Sequence, residues 1–86
     1  MRAMRAAYSL AGWNPEDVDL IECHATGTPV GDAVEVASLK QLWDGAESGD
    51  RHCVLGSVKS NIGHLLTAAG GAALTKVLLA MQAETL

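Results

Sequence analysis

Stretches in which apolar and polar residues alternate take turns along this chain with stretches in which apolar residues recur at helical spacing. Arg2 to Leu10 are good helix formers, and Gly12 is placed as a stop. The chain is therefore expected to open part-way along a helix. Asn14-Pro15-Glu16-Asp17 is a turn sequence, and Val18 to Cys23 alternates as a strand does, ending at His24. A loop of small residues, Ala25 to Gly31, comes next. Asp32 with Glu35 three residues on fits a capping box, and Val36, Leu39, Leu42 and Trp43 continue at helical spacing, which predicts a helix from Ala33 to Trp43. Asp44 to Arg51 is polar and glycine-bearing, a surface loop. Cys53 to Val58 forms the second predicted strand, Lys59 to Gly63 a loop, and Leu65 to Met81 a buried helix.

The order helix, strand, helix, strand, helix predicts an α/β fold with parallel strands. In such sheets the working residues collect just past the carboxyl ends of the strands. Those places are His24 to Thr28 and Lys59 to His64, which are also the stretches richest in polar residues and glycine.

Composition sharpens this picture. Of the 86 residues, 49% are apolar, and a lone domain of this size buries only about 60–65% of its unfolded surface. Leu65 to Met81 is interrupted only by Thr67, Gly70, Gly71, Thr75 and Lys76. It calls for a covering layer that the chain does not contain. The Gly70-Gly71 pair suggests that a neighbouring element comes close to the helix backbone. The stretch falls just short of the roughly 18 residues needed to cross a bilayer and contains a lysine, so no membrane span is expected. Met1 to Trp13 has arginines mixed through its apolar positions, unlike a signal peptide, which points to a cytoplasmic setting. Ten acidic against six basic residues, a net charge of -4 with no basic run, argue against a nucleic-acid partner. Cys23 and Cys53 are too few for a disulfide framework and read as reduced thiols.

His24, at a strand end before Thr26-Gly27-Thr28, offers an imidazole that can act as acid, base or hydrogen-bond donor. Gly27 permits close approach, and the hydroxyls of Thr26 and Thr28 can hold the amides of a long substrate. Spacing alone supports equally a structural histidine beside an ordinary turn. Lys59 and His64 bring an amine and an imidazole within a short stretch, with His64 expected at a helix start where the dipole favours a neutral ring. Two neutral histidines donating to one carbonyl oxygen would stabilise an enolate. On spacing alone, a surface lysine and a helix-start histidine are the favoured description. Gly56 to Ser60 lacks the glycines of a phosphate-binding loop. Cys23-His24 and His52-Cys53 are strand neighbours that point to opposite faces, so no metal site is expected.

Taken together, Glu22-Cys23-His24-Ala25-Thr26-Gly27-Thr28-Pro29-Val30-Gly31-Asp32 and Gly56-Ser57-Val58-Lys59-Ser60-Asn61-Ile62-Gly63-His64 resemble the two signature segments of the C-terminal half of beta-ketoacyl synthases. The resemblance covers nearly all the chain. Alanine after the histidine, where glycine is more usual, looks most like synthases of polyketide and polyunsaturated fatty acid systems. The resemblance implies a partial thiolase-like fold, with residues 1–86 a fragment of that half cut at both ends. It implies decarboxylative condensation of an acyl thioester with a malonyl unit on acyl carrier protein. His24 and His64 match the two catalytic histidines that hold the malonyl thioester oxygen, and His24 is also proposed in the family to assist decarboxylation. Lys59 matches the supporting lysine, and Thr26 and Thr28 match threonines that contact the phosphopantetheine arm. No cofactor bound directly is implied. The implied partners are acyl carrier protein, the remaining synthase segments and a second copy in a homodimer.

Three departures accompany the match. The nucleophilic cysteine lies in the other half of such enzymes, and neither Cys23 nor Cys53 is placed to replace it. Many relatives carry a glutamate in the helix after the second histidine. Leu65 to Met81 holds no acid, which leaves Lys59 without an identified partner. An alternative of a different class is a non-catalytic module that pairs through its apolar helix.

Overall fold

A computed structural model of the chain describes residues 2–44 and 52–86. Helix α1 (Arg2–Ala11) ends at Gly12, whose φ of 68° is one that glycine adopts readily. The amides of Gly12 and Trp13 turn back onto the carbonyls of Ser9 and Tyr8, closing the helix end as expected. Pro15–Asp17 forms a single 3-10 turn, secured by the Asp17 carboxylate, which accepts the amide of Asn14 at 2.8 Å.

Strands β1 (Leu20–Glu22) and β2 (Val54–Gly56) pair in parallel, with Leu20 opposite Val54, Ile21 opposite Leu55 and Glu22 opposite Gly56. Both are shorter than the alternation predicted. The flanking amides still join the ladder, Val54 donating to Asp19 and Cys23 to Gly56. Between them lies α2 (Pro29–Trp43), and after β2 come the one-turn helix α3 (Lys59–Ile62), a 3-10 turn (Leu66–Ala68) and α4 (Ala69–Ala83). The alternating order and the parallel sheet agree with the α/β expectation. Helices α1 and α2 are tied by a hydrogen bond from Arg5 to the Gln41 carbonyl. Val77, Ala80 and Met81 of α4 line a cleft with Leu20 of β1.

Several local expectations are corrected. Helix α2 begins at Pro29, because the Thr28 hydroxyl caps it by accepting the amide of Gly31 at 3.2 Å, and proline suits the first helical position. Asp32 and Glu35 form no capping box; both reach back to the loop before the helix. Lys59–Ile62 is helical rather than loop. His64 does not start a helix: Leu65 and Leu66 both have positive φ, and α4 begins only at Ala69. The Asp44–Arg51 loop lies, beyond Asp44, outside the described residues.

The helix predicted as buried is largely exposed, with Leu74 at 60% and Leu79 at 59%. Only Leu39 and Ala69 are buried apolar residues among those described. A Cβ built on Gly70 or Gly71 would meet nothing within 4 Å, so no element described here packs on that pair. The radius of gyration, 13.7 Å, exceeds the roughly 12 Å of a self-contained domain of this length. The segment Leu66–Ala83 is, by length and composition, long and apolar enough to cross a membrane, which the shorter predicted stretch was not. Lys76 near its middle is ion-paired to Glu22 on β1, as a helix packed on a sheet would be.

Candidate active site

The two strands end side by side, and each hands the chain to a polar loop at its carboxyl end. The parallel register therefore sets His24, two residues past Glu22, beside the segment that follows Gly56. His24 and His64 meet edge to face, with ring centroids 5.8 Å apart and ring planes at 83°. Both side chains open to solvent. Two imidazoles so placed can turn N–H donors toward one acceptor atom between them.

Glu35 on α2 holds the His24 loop by its main chain. One carboxylate oxygen accepts the His24 amide at 2.7 Å and the other the Ala25 amide at 2.8 Å. Ala25 has a φ of 36°, a conformation that a side chain rarely adopts. The hydroxyls of Thr26 and Thr28 lie 3.2 Å apart. Gly31 leaves their space open: a Cβ there would collide with the Thr28 hydroxyl and stand 3.4 Å from that of Thr26.

Lys59 occupies the first turn of α3. No hydrogen bond joins it to either histidine among the described residues. Its charge instead acts on Glu22, whose carboxylate accepts the Val58 amide and binds the Lys76 ammonium at 2.7 Å. Burial pushes the Glu22 carboxyl upward, but the Lys76 and Val58 hydrogen bonds and the charges of Lys76 and Lys59 outweigh it and leave the group below its ordinary range. Glu22 and Glu35 are the residues that sequence reasoning missed as part of the site. The spacing of Glu35 from Asp32 assigns it to a local cap instead. For Glu22 a usable signal exists: an acid facing the apolar side of a strand two residues before a candidate histidine.

Neither cysteine is set up as a nucleophile. Burial, then the nearby carboxylates of Glu35 and Glu22, push the Cys23 thiol up, and burial with Asp19 does the same for Cys53. The Cys23 sulfur turns back toward the Ile21 carbonyl.

The model of the beta-ketoacyl synthase C-terminal domain matches residues 1–86. The chain belongs to the beta-ketoacyl synthase family. It is 45% identical over 96% of its length to polyketide synthase PksN of Bacillus subtilis, and 48% identical over 99% to polyketide synthase GfsA of Streptomyces halstedii. It is 45% identical over 98% to a polyunsaturated fatty acid synthase from a Thraustochytrium species. The chain spans only 2%, 1% and 3% of those proteins respectively. No solved structure matches it. It is a beta-ketoacyl synthase C-terminal domain, and the relatives it matches are polyketide and polyunsaturated fatty acid synthases.

Proposed function

We propose that the chain supplies the malonyl half of a decarboxylative condensation, working with the remaining segments of a cytoplasmic, homodimeric synthase of thiolase-like fold. The observation that carries the reading is the His24–His64 ring pair, brought together beyond the carboxyl ends of two parallel strands. A malonyl thioester delivered on the phosphopantetheine arm of acyl carrier protein would place its thioester oxygen between the two imidazoles, with Thr26 and Thr28 along the arm. As the bond to the carboxyl carbon breaks, carbon dioxide leaves and its electron pair moves onto the thioester as an enolate. The two ring N–H groups meet that charge where it develops. The enolate carbon then attacks the acyl group held on a cysteine from another segment, and the cysteine sulfur leaves. Lys59 supports the site through charge. No directly bound cofactor takes part, and the chain alone lacks the nucleophile for turnover.

The test separates the half-reactions in the full-length synthase. His24→Ala and His64→Ala should each slow carbon dioxide release from the malonyl thioester by a factor on the order of 10²–10³. Labelled acyl loading should suffer less. Lys59→Ala should impair release more mildly, and Cys23→Ala should leave it close to the unaltered rate. Loss of loading with intact carbon dioxide release in His64→Ala would sink the assignment. A synthase indifferent to both histidine changes would favour the non-catalytic pairing module instead.

A further inference from the structure

Beneath the histidine pair, one side chain ties three segments together. Glu22 lies on β1 two residues before His24. One of its carboxylate oxygens accepts the amide of Val58, which immediately precedes Lys59 at the cap of α3. The other holds the Lys76 ammonium of α4 at 2.7 Å. Glu22 therefore contacts the turn that carries Lys59 and the helix that follows His64, while its own strand leads into His24.

The neighbouring strand is shaped for this ion pair. Gly56 stands opposite Glu22 in the ladder. A Cβ at Gly56 would lie 2.8 Å from the Lys76 nitrogen and 3.6 Å from a Glu22 oxygen. The Glu22 side chain is only 9% exposed, and a carboxylate so far from water is tolerated only when its charge and lone pairs are answered. Both oxygens are engaged here. The Lys59 charge reaches the same carboxylate without touching it.

We infer that Glu22, paired with Lys76, is a positioning residue of the site: through the Val58 amide and Lys76 it holds the His24 and His64 loops in mutual register. It touches no reacting atom and acts through the two histidines. The inference rests on the functional reading above and deepens it.

The test uses the full-length synthase, with carbon dioxide release and acyl loading measured separately. Glu22→Gln keeps an oxygen for the Val58 amide but removes the charge. Lys76→Met removes the cation, while Lys76→Arg retains it. Leu39→Ala, on α2 and away from both loops, serves as a destabilisation control. Glu22→Gln and Lys76→Met should each lower kcat for release roughly ten- to a hundredfold, as a small displacement of preorganised donors does. KM should stay within about twofold and loading should be unchanged. Lys76→Arg should recover most of the rate, and Leu39→Ala should lower the melting temperature without that loss. The inference is overturned if Glu22→Gln and Lys76→Met leave release unchanged in an enzyme that His24→Ala and His64→Ala impair. It is equally overturned if Leu39→Ala loses as much release at a matched drop in melting temperature. A synthase whose histidine variants release carbon dioxide normally fails the functional reading itself, whatever Glu22 does.

Discussion

The amides of His24 and Ala25, at the start of the loop, are held by one carboxylate, and cutting that link should have a readable cost. Glu35 accepts the amides of His24 and Ala25 at 2.7 and 2.8 Å. A hydrogen bond to a charged group contributes about 1.5–3 kcal/mol. His24 is exposed and Glu35 half-buried, so the lower end applies and the two bonds together contribute about 3 kcal/mol. Against this stands Ala25, whose φ of 36° costs roughly 1–2 kcal/mol in a residue with a Cβ. The clamp exceeds the strain by about 1–2 kcal/mol, which is what keeps the loop in its left-handed turn. Glu35→Ala should therefore release it. Amide exchange of a peptide spanning His24 and Ala25 in the full-length protein should rise roughly five- to thirtyfold, because a net local stability of about 1–2 kcal/mol is all that protects it. Ala25→Gly placed in the Glu35→Ala background should recover about 1 kcal/mol, since glycine is at ease at positive φ. Unchanged exchange in Glu35→Ala would refute the clamp, and a failure of Ala25→Gly to slow exchange would refute the strain.

Two further outcomes are expected. The Glu22 carboxyl is held below its ordinary value of 4.5, so its ion pair contributes stability that is present above that value and lost as the pH falls through the lowered one. Melting temperature should drop more steeply on acidification for the unaltered protein than for Glu22→Gln, and parallel curves would contradict the pairing. Gly63, with φ 79° and ψ −177°, occupies a region essentially reserved for glycine. Gly63→Ala should cost roughly 1–3 kcal/mol in a denaturant titration, and an unmoved midpoint would show that the turn before His64 is not constrained.

The elements that sequence reasoning located well are those written in local periodicity. Arg2–Ala11 with its Gly12 stop, the alternation around Leu20–Glu22 and the helical spacing through Leu39 to Trp43 each follow from neighbours a few residues apart. Element ends were less legible, because several polar groups had two possible uses. The Thr28 hydroxyl and the Asp32 and Glu35 carboxylates could all have capped α2. Thr28 does so, since Pro29 already suits the first turn, and this frees the two acids to reach back to the His24 loop. Likewise Gly63 to Leu66 leave helical geometry before α4 begins, so His64 takes its place from a turn rather than from a helix dipole.

By itself the amino-acid sequence determined the alternation of helix and strand, the parallel pairing, and the two polar stretches past the strand ends where His24, Thr26, Thr28, Lys59 and His64 lie. These follow from spacing, from the handedness of strand crossovers and from motifs that are contiguous in the chain. Only the tertiary structure decided that His24 and His64 face each other, that Glu35 rather than a helix cap secures the first loop, and that Glu22 pairs with Lys76. Glu22 and Lys76 are 54 positions apart. Their meeting depends on how α4 lies across the sheet and on the room left by Gly56, and no local pattern encodes a contact made by packing.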